Sequence, residues 1–557
     1  MYRSAAPKLS LSISAAQNVR PTLSLKSPGL PRTPISPSAA SPTAKRFSSL
    51  QVPSYNYSNS CTSKSILKKQ PNGHNAVPEK RIQFKGTPTV HCVTPIENPE
   101  EYYGNYVKLS REERRWMVQS DRRRYSITDC AAVQSDDTSV AIVEKNTQKS
   151  SAQIHFLENV TADLNAYRGV HPILALESHQ ESLAKLVNKA LSHLPVASGD
   201  TTTAHGTISL TNCSQPRRKP DFISVTRGPG MRANLFVGLD TGKALSVAWQ
   251  IPFVGVHHMQ AHLLTPRLVS ALSHNQDNTP TTTPSPITPE FPFLSILVSG
   301  GHSILVKSAS ITEHEVMASS ADIAIGESLD KSAREILPDD LLANAKNTMY
   351  GKILEQFAFR NGPIDYADYQ PPKKRGDEVV KRETPWGWSL TTPFANTRHL
   401  QFSFSSIASA VTKIVAQKQK AGETLSHDER VDVARESMRV CFEHLASRTV
   451  IALEALRAQP ESQEIKTLVV SGGVAANRFL MTVLRSFLDV RGFGHVDIVA
   501  PPPYLCTDNA AMIGWAGIEM FEAGWRTDLG IRALRKWSLD PQADDGGVLG
   551  PNGWQRV

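Results

Sequence analysis

Long apolar runs and cysteine pairs are both missing from this sequence. No run approaches the roughly 18 apolar residues that a membrane-spanning helix needs, so we expect no membrane association. The six cysteines are Cys61, Cys92, Cys130, Cys213, Cys441 and Cys506. They are widely scattered and form no C-x-x-C pair, which disfavours both a disulfide framework and a thiolate zinc site.

Acidic residues are missing from the first 78 of the 557 residues, although this stretch holds ten Lys and Arg. The whole chain has a formal net charge of +9 and a pI of about 9.1. Residues 79–557, however, hold 51 basic against 52 acidic residues. The basic character therefore belongs to the leader, which excludes a nucleic-acid-coating surface spread over the whole protein.

The leader, residues 1–78, is rich in Ser, Pro, Lys and Arg. This composition cannot bury enough apolar surface to offset the entropy lost on folding, so we predict a disordered segment. A cationic, Ser-rich and acid-free N terminus is also typical of a mitochondrial transit peptide. An ordinary disordered tail is the alternative.

The rest of the chain predicts an α/β protein of two lobes, and hydrophobic residues at 40% suffice for a large core. We assign 79–124 to a linker, 125–255 to a first lobe, 256–540 to a second lobe with a returning C-terminal segment, and 541–557 to a tail. Predicted buried strands are 222–226, 293–298, 304–306 and 467–470. Polar stretches at 197–220, 275–289 and 365–392 are predicted to be solvated surface insertions.

A histidine pair begins the second lobe, in the sequence Val256–His262. His258 and His262 are four residues apart, so on a helix they lie on one face and their imidazoles can share one metal ion. Capping or core histidines are the alternative. A metalloprotease would need a glutamate directly after the first histidine as general base, and Met259 occupies that position.

Two hydrophobic strands end in the same glycine turn, at Leu297–Gly301 and at Val469–Gly473. A Ser-Gly-Gly turn lets backbone N–H groups approach a phosphate, and the serine hydroxyl adds a donor. Each is alternatively a plain tight turn. The repetition suggests two related halves that face a shared nucleotide, with the Thr226–Gly230 turn shaping the cleft between them.

Two acidic residues stand near predicted helices. Asp330 is the last acidic residue of the segment Asp322–Lys331, and its carboxylate could accept hydrogen bonds from ribose hydroxyls or from a substrate ammonium. Asp508 precedes an apolar helix and could complete a metal site of two histidines and one carboxylate. Helix capping is the alternative for both.

Taken in order, these segments resemble the tRNA N6-adenosine threonylcarbamoyltransferase family (TsaD-type), in its mitochondrial eukaryotic branch. The resemblance covers about 125–540. It includes further segments at Ser135–Ile142, Tyr167–Pro172, Ala175–His179 and Phe402–Ser405.

The resemblance implies the actin and sugar-kinase type of fold, with two related α/β lobes around a nucleotide cleft. It also implies transfer of the threonylcarbamoyl group from threonylcarbamoyl-AMP to the N6 amine of the adenosine 3′ of the anticodon, in mitochondrial tRNAs that read ANN codons. The expected partners are tRNA and a separate synthase that supplies the adenylate, and the expected assembly is a homodimer. No general base or other catalytic residue is assigned.

By the same resemblance, the second lobe binds one divalent metal ion per subunit, iron or zinc, through His258, His262 and Asp508. The residues implied to bind the adenylate are Leu297, Val298, Ser299, Gly300, Gly301, Asp330, Gly351, Glu355, Ala476, Asn477 and Thr507.

The chain departs from the family pattern in three places. Residues Thr128–Ser135 replace the family's first strand and its Glu-Thr-Ser-Cys turn, which could disable that strand and its phosphate-facing turn. The family's Tyr-Pro-Gly-Gly-Pro loop is missing, and spacing alone maps Gly351 and Glu355 onto its glycine and acid. Gln401 and Ser406 replace an Asp and a Gly around Phe-Ser-Phe-Ser.

Two other functions stay open. A metallopeptidase of the glycoprotease type would use the same histidine pair, and a non-catalytic ATP-binding module would have lost turnover through the altered first strand. A tRNA-binding protein with a near-neutral core also needs a local basic strip, because phosphate contacts dominate affinity. The candidates for that strip are Arg227, Arg232, Lys373, Lys374 and Arg375.

Overall fold

The computed structural model describes most of the chain from residue 126 onward. The described residues are 126–134 (backbone alone), 137–162, 171–197, 206–211, 213–275, 285–343, 345, 350–459 and 463–557. The predicted leader and linker, 1–78 and 79–124, lie outside them. So do Ser135 and Asp136 of the first predicted turn.

Ten strands of the described chain form two five-stranded sheets. Those of the first sheet are β1 (Ser126–Gln134), β2 (Asp137–Asn146), β3 (Ser151–Thr161), β4 (Phe222–Gly228) and β5 (Phe253–His257). Those of the second are β6 (Phe293–Val298), β7 (Ser303–Ser308), β8 (His314–Ser319), β9 (Thr467–Ser471) and β10 (Asp497–Val499). A short hairpin pairs Thr207–Ile208 with Arg217–Arg218.

The helices lie between and after these strands. They are α1 (Pro172–Leu191), α2 (Arg232–Trp249), α3 (His258–Ser273), α4 (Ile325–Ile336), α5 (Asp339–Ala343), α6 (Gly351–Ala358), α7 (Ser405–Lys420), α8 (His427–Arg457), α9 (Arg478–Val490), α10 (Pro503–Cys506) and α11 (Ala510–Glu522). Single 3-10 turns cover Gly362–Tyr366, Arg375–Val379 and Gly473–Ala476. No helix of the described residues is long and apolar enough to cross a membrane.

The two sheets have the same topology. The strand order is β3-β2-β1-β4-β5 in the first sheet and β8-β7-β6-β9-β10 in the second. In each, the first three strands form an antiparallel meander and the last two run parallel to its first strand. Helices α2 and α9 make the corresponding crossovers. This duplication confirms the predicted fold of two related α/β lobes.

The altered first strand is present in the fold. β1 lies at the centre of the first sheet, antiparallel to β2 and parallel to β4, with Thr128 opposite Phe222. The unusual residues at 128–134 therefore keep the backbone pairing that the topology requires.

Helices α3 and α11 connect the two lobes. α11 follows the second sheet in sequence but packs against β1, β2, β4 and β5 of the first, and also against α3. One buried cluster joins Phe222 and Val256 from the first sheet to Leu297 and Val469 from the second, with Trp515 of α11. The edges of both sheets are consequently held in a fixed relation near the start of α3.

The C-terminal residues 541–557 belong to the fold. β12 (Trp554–Arg556) pairs antiparallel with β11 (Trp525–Thr527), and Val548 is fully buried. The segment predicted as a tail therefore packs into the buried cluster that joins the two sheets.

The insertion 365–392 is anchored by a buried carboxylate, which the prediction of a solvated loop missed. Glu378 is 7% exposed and accepts from Arg491 Nη2 at 2.6 Å and from Ser447 Oγ at 2.7 Å. Arg375 pairs with the same carboxylate. The charge of Arg375 is therefore used to anchor the insertion and is not available for tRNA. The neighbouring Lys373 and Lys374 are exposed.

We expect Glu378→Ala to destabilise the protein by about 3 kcal/mol, because it leaves two arginines without their buried partner. Glu383→Ala, at an exposed position of the same insertion, should change stability by less than about 0.5 kcal/mol. Urea unfolding of both variants checks this. Equal stability of the two would contradict the anchoring role.

Candidate functional site

Helix α3 starts at the carboxyl end of β5 and presents two histidines. His257 caps the helix, with Nδ1 accepting from the N–H groups of Met259 at 3.1 Å and Gln260 at 3.4 Å. Capping is therefore done by His257, which leaves His258 and His262 free for another task. The two histidines lie one helical turn apart on α3, as their spacing predicts, and each residue is 3% exposed.

Asp508 reaches the histidines from the loop before α11. The helix is capped by Asn509, so the capping alternative for Asp508 is wrong. Asn159 of β3 donates to the Asp508 carbonyl at 3.2 Å, and the N–H of Ala510 donates to Ser139 Oγ of β2 at 2.9 Å. The first sheet thus fixes the loop that carries this carboxylate.

Three electron-rich atoms converge at this point. His262 Nε2 lies 3.0 Å and His258 Nε2 lies 3.4 Å from Asp508 Oδ1, and the two Nε2 atoms are 3.2 Å apart. Two neutral imidazoles supply at most two protons at these nitrogens, so the three contacts cannot all be hydrogen bonds at once. Two imidazole nitrogens and one carboxylate oxygen fit a divalent cation well.

The protonation states also suit a cation. Burial lowers the pKa of His262, which favours the neutral ring. Burial alone would raise the pKa of Asp508, but the adjacent His258 and His262 hold it well below its ordinary value. A neutral imidazole beside an ionised carboxylate is the state that metal binding requires.

The two Ser-Gly-Gly turns lie side by side, not one in each half. They follow β6 and β9, neighbouring parallel strands of the second sheet, with Leu297 opposite Ser471. The prediction that they mark two related halves is therefore wrong, because local sequence does not show which sheet a strand joins. The turns touch: a Cβ on Gly472 would lie 2.3 Å from the Val298 carbonyl oxygen.

The serine hydroxyls of these turns bond within the protein. Ser299 Oγ accepts from the N–H groups of Gly301 at 3.3 Å and His302 at 3.0 Å, and so shapes the first turn. Ser471 Oγ donates to the His262 carbonyl at 3.2 Å, which ties the second turn to helix α3. Gly300 and Gly301 face open space, leaving room for a ligand.

Asp330 and Glu355 accept backbone hydrogen bonds from the first residues of α6 and α9. Asp330 Oδ1 accepts from the N–H of Gly351, the first residue of α6, at 3.0 Å. Glu355, one turn further, accepts from the N–H of Arg478 at 2.9 Å. Burial raises the pKa of Asp330 to about 6 and also raises the pKa of Glu355. The structure thus brings Asp330 into contact with Gly351, one helical turn before Glu355, whereas spacing alone had related Gly351 and Glu355.

The remaining predicted residues lie at the start of α9 and before α11. Asn477 caps α9 by accepting from the N–H of Leu480 at 3.1 Å, so its carboxamide oxygen has a structural role. Ala476 is exposed beside it, and Thr507, at the end of α10, is exposed too. α10 packs against the 3-10 turn that contains Ala476.

Asp322 is a residue whose role the sequence analysis missed. It accepts from Ser403 Oγ at 2.7 Å and from the N–H groups of Phe404 at 3.0 Å and Ser405 at 3.2 Å. Against the effect of burial, these hydrogen bonds lower its pKa to about 2. Asp322 therefore joins the segment Asp322–Lys331 to the segment Phe402–Ser405. Gly326, near the start of α4, packs against the first Ser-Gly-Gly turn.

Comparison with known proteins relates most of the described chain to one group of enzymes. A sequence profile of the tRNA N6-adenosine threonylcarbamoyltransferase family matches residues 209–515. The mitochondrial tRNA N6-adenosine threonylcarbamoyltransferase of Schizosaccharomyces pombe is 32% identical over 464 residues, covering 80% of this chain and 94% of the relative. The tRNA N6-adenosine threonylcarbamoyltransferase of Brucella anthropi is 31% identical, and the match covers 73% of this chain and 94% of the relative.

Among solved structures, the chain is similar to the activator of 2-hydroxyisocaproyl-CoA dehydratase from Clostridium difficile, with a TM-score of 0.33 and 10% identity over 71% of this chain and 96% of the other. The chain is also similar to glucokinase from Balamuthia mandrillaris, with a TM-score of 0.26 and 12% identity. That match covers 74% of this chain and 99% of the glucokinase. The fold assignment rests on the duplicated strand order described above.

We expect Gly472→Ala to distort the second turn. Gly472 has φ 96° and ψ 168°, a region open essentially to glycine alone, so the strain costs about 1–3 kcal/mol before the clash with Val298 is counted. Gly473→Ala is the control, since a Cβ there meets nothing within 4 Å. Urea unfolding should show a loss of stability for Gly472→Ala that Gly473→Ala does not show. Equal behaviour of the two variants would rule out this packing.

Proposed function

The chain belongs to the tRNA N6-adenosine threonylcarbamoyltransferase family, and we propose that it modifies mitochondrial tRNAs with a site built on His258, His262 and Asp508. It is a transferase that moves the threonylcarbamoyl group from threonylcarbamoyl-AMP to the N6 amine of the adenosine 3′ of the anticodon, in tRNAs reading ANN codons. The observation that carries the site assignment is the convergence of these three side chains.

The reaction needs positioning more than a nucleophilic side chain. The N6 lone pair attacks the carbamoyl carbonyl carbon, a C–N bond forms, and the C–O bond to phosphate breaks with AMP leaving with the electron pair. N6 loses one proton in the process. Holding amine and mixed anhydride together can supply most of the acceleration, so we assign no general base.

The residues around the metal triad would bind the adenylate. Gly300 and Gly301 leave space for its phosphate, and Asp330 and Glu355 present carboxylates that can accept from ribose hydroxyls. Because burial raises the pKa of Asp330 to about 6, this carboxylate is mostly ionised at neutral pH and becomes a weaker acceptor below about pH 6. Ala476 and Thr507 complete the exposed rim.

One divalent metal ion, iron or zinc, would be held by His258, His262 and Asp508. When bound, such an ion supplies Lewis-acid stabilisation of negative charge on a donor oxygen. Ser471 contributes by fixing the backbone of His262, and Asn159 by fixing that of Asp508. The site therefore has its supporting contacts in place within the protein itself.

A metallopeptidase would need an acid where Met259 stands. Met259 is 5% exposed and belongs to the buried cluster between the sheets, so it offers no base for water activation. The triad without a glutamate suits orientation of a preformed adenylate, supplied by a separate synthase. The mitochondrial relative and the acid-free leader support a mitochondrial location.

We expect His258→Ala to lose the bound metal and to slow single-turnover transfer from threonylcarbamoyl-AMP to unmodified mitochondrial tRNA by at least about 100-fold, because charge stabilisation at the site is lost. His495→Ala is the control, since His495 is exposed beside the opposite end of the second sheet. Product is quantified by nucleoside mass spectrometry and metal by plasma mass spectrometry.

Equal transfer by His258→Ala and His495→Ala would refute the site assignment. Absence of transfer by the wild type, with metal bound, would refute the proposed reaction.

A homodimer is supported by exposed apolar side chains on α1 and α2. Phe236 and Val247 are 40% and 49% exposed, and their eleven-residue spacing places them on one face of α2. Ile173, at the start of α1, is also exposed, and α1 packs against α2. A second copy of the chain would remove these side chains from water.

We expect the wild type to have about twice the mass of the 61.1 kDa chain in light-scattering measurements, and Phe236→Asp with Val247→Asp to halve it. Ile364→Asp, at an apolar residue 77% exposed elsewhere, should leave the dimer intact. A monomeric wild type would contradict the proposed assembly.

A further inference from the structure

A C-terminal segment, residues 531–537, runs along the carboxyl edge of the first sheet. Ile531 packs against Gly255 of β5. Leu534 exchanges two backbone hydrogen bonds with the end of β4, donating to the Arg227 carbonyl at 2.9 Å and accepting from the N–H of Gly230 at 3.1 Å. The segment thus crosses the strand ends that lead into α2 and α3.

The same segment ends against the metal-ligand helix. The Trp537 ring lies 4.4 Å from the His257 ring, centroid to centroid, and His257 Nε2 is 3.2 Å from the Trp537 carbonyl oxygen. His257 immediately precedes the proposed ligand His258. The segment therefore ends on the residue that directly precedes the first proposed metal ligand.

The buried side chain of Arg227 contacts this segment from the protein interior. The residue is 3% exposed. Nε donates to the Arg532 carbonyl at 3.3 Å and Nη2 donates to the Asn552 carbonyl at 2.7 Å. The guanidinium also lies over the Trp537 ring. Burial lowers its pKa to about 10, so it stays charged at neutral pH. The prediction that Arg227 contacts tRNA is therefore wrong, because its charge is used inside the protein.

The outer face of the segment is basic. Ile531, Ala533 and Trp537 are buried, whereas Arg532, Arg535 and Lys536 are exposed. Residues 529–539 contain no Asp or Glu. Within the part of the chain that the structure describes, the three basic side chains form no ion pair, so their charge is not neutralised locally.

We propose that Arg532, Arg535 and Lys536, together with the exposed Arg232 two residues beyond Gly230, bind backbone phosphates of the acceptor tRNA. This inference rests on the proposed function, since the polyanion expected beside His258 is the tRNA that carries the reacting adenosine. It also explains how a folded region of near-zero net charge can bind a nucleic acid. Each phosphate contact releases condensed counterions, so a short unpaired cluster is sufficient for affinity.

The test compares two triple variants of the full chain. Arg532→Ala with Arg535→Ala and Lys536→Ala removes the cluster. Lys413→Ala with Lys420→Ala and Lys466→Ala removes the same charge from exposed positions on α7 and beside the opposite end of β9. Binding of fluorescently labelled mitochondrial tRNA is measured by anisotropy over a range of salt concentrations.

We expect the cluster variant to weaken tRNA binding by about 10- to 100-fold and to reduce the slope of log affinity against log salt by about 2. The control variant should bind within about twofold of wild type with an unchanged slope. AMP affinity and melting temperature should be unchanged in both. If the triple variant is unstable, single Arg535→Ala and Lys536→Ala variants should each reduce the slope by about 0.7.

Cluster and control variants with the same tRNA affinity and salt slope would overturn the inference, while product formation by the wild type would leave the proposed function intact. Conversely, a wild type that binds tRNA through the cluster but forms no product would overturn the proposed function alone. A loss of affinity for AMP equal to the loss for tRNA would show a structural role for the segment and would also overturn the inference.

Discussion

The arrangement of the site depends on three lone-pair atoms held at one point by elements from distant parts of the chain. His258 and His262 come from α3, which follows the first sheet, and Asp508 comes from the loop before α11, which follows the second. Their atoms lie 3.0–3.4 Å apart, and both elements are anchored to neighbouring parts of the fold. Ser471 holds α3 and Asn159 holds the Asp508 loop. These three side chains would hold a divalent cation.

The duplicated sheets explain why the site lies where it does. Parallel strands deliver their following loops to one edge, so the ends of β4 and β5 meet the C-terminal segment while the ends of β6 and β9 form the touching glycine turns. α3 and α11 pack between the two sheets and bring these edges together. The first edge therefore carries the two histidines and the basic segment 532–536, whereas Asp508 and the open glycine turn follow strands of the second sheet.

Local features were predictable from sequence, and long-range partners were not. The pairing of His258 with His262 follows from helical spacing, and the strands around both glycine turns follow from short apolar runs. For Asp508, 246 positions away from His262, the sequence allowed both a metal ligand and a helix cap, and its contact with the histidines appears only in the fold. The sheet shared by the two turns, the contact of Asp322 with Ser403–Ser405, the burial of Glu378 and the internal role of Arg227 all depend on contacts between distant segments. A charged residue in a polar stretch has the same local pattern whether it is solvated or buried against a partner.

The most direct test of the shared metal and adenylate site is X-ray absorption at the metal edge, recorded for the iron- or zinc-loaded protein with and without a non-hydrolysable threonylcarbamoyl-AMP analogue. The site geometry predicts two imidazole ligands in the wild type and one in His262→Ala. It also predicts a changed set of oxygen ligands when the analogue binds. Unchanged imidazole scattering in His262→Ala, or a first coordination shell unaffected by a saturating analogue, would contradict a single site in which the metal triad and the glycine turns act together.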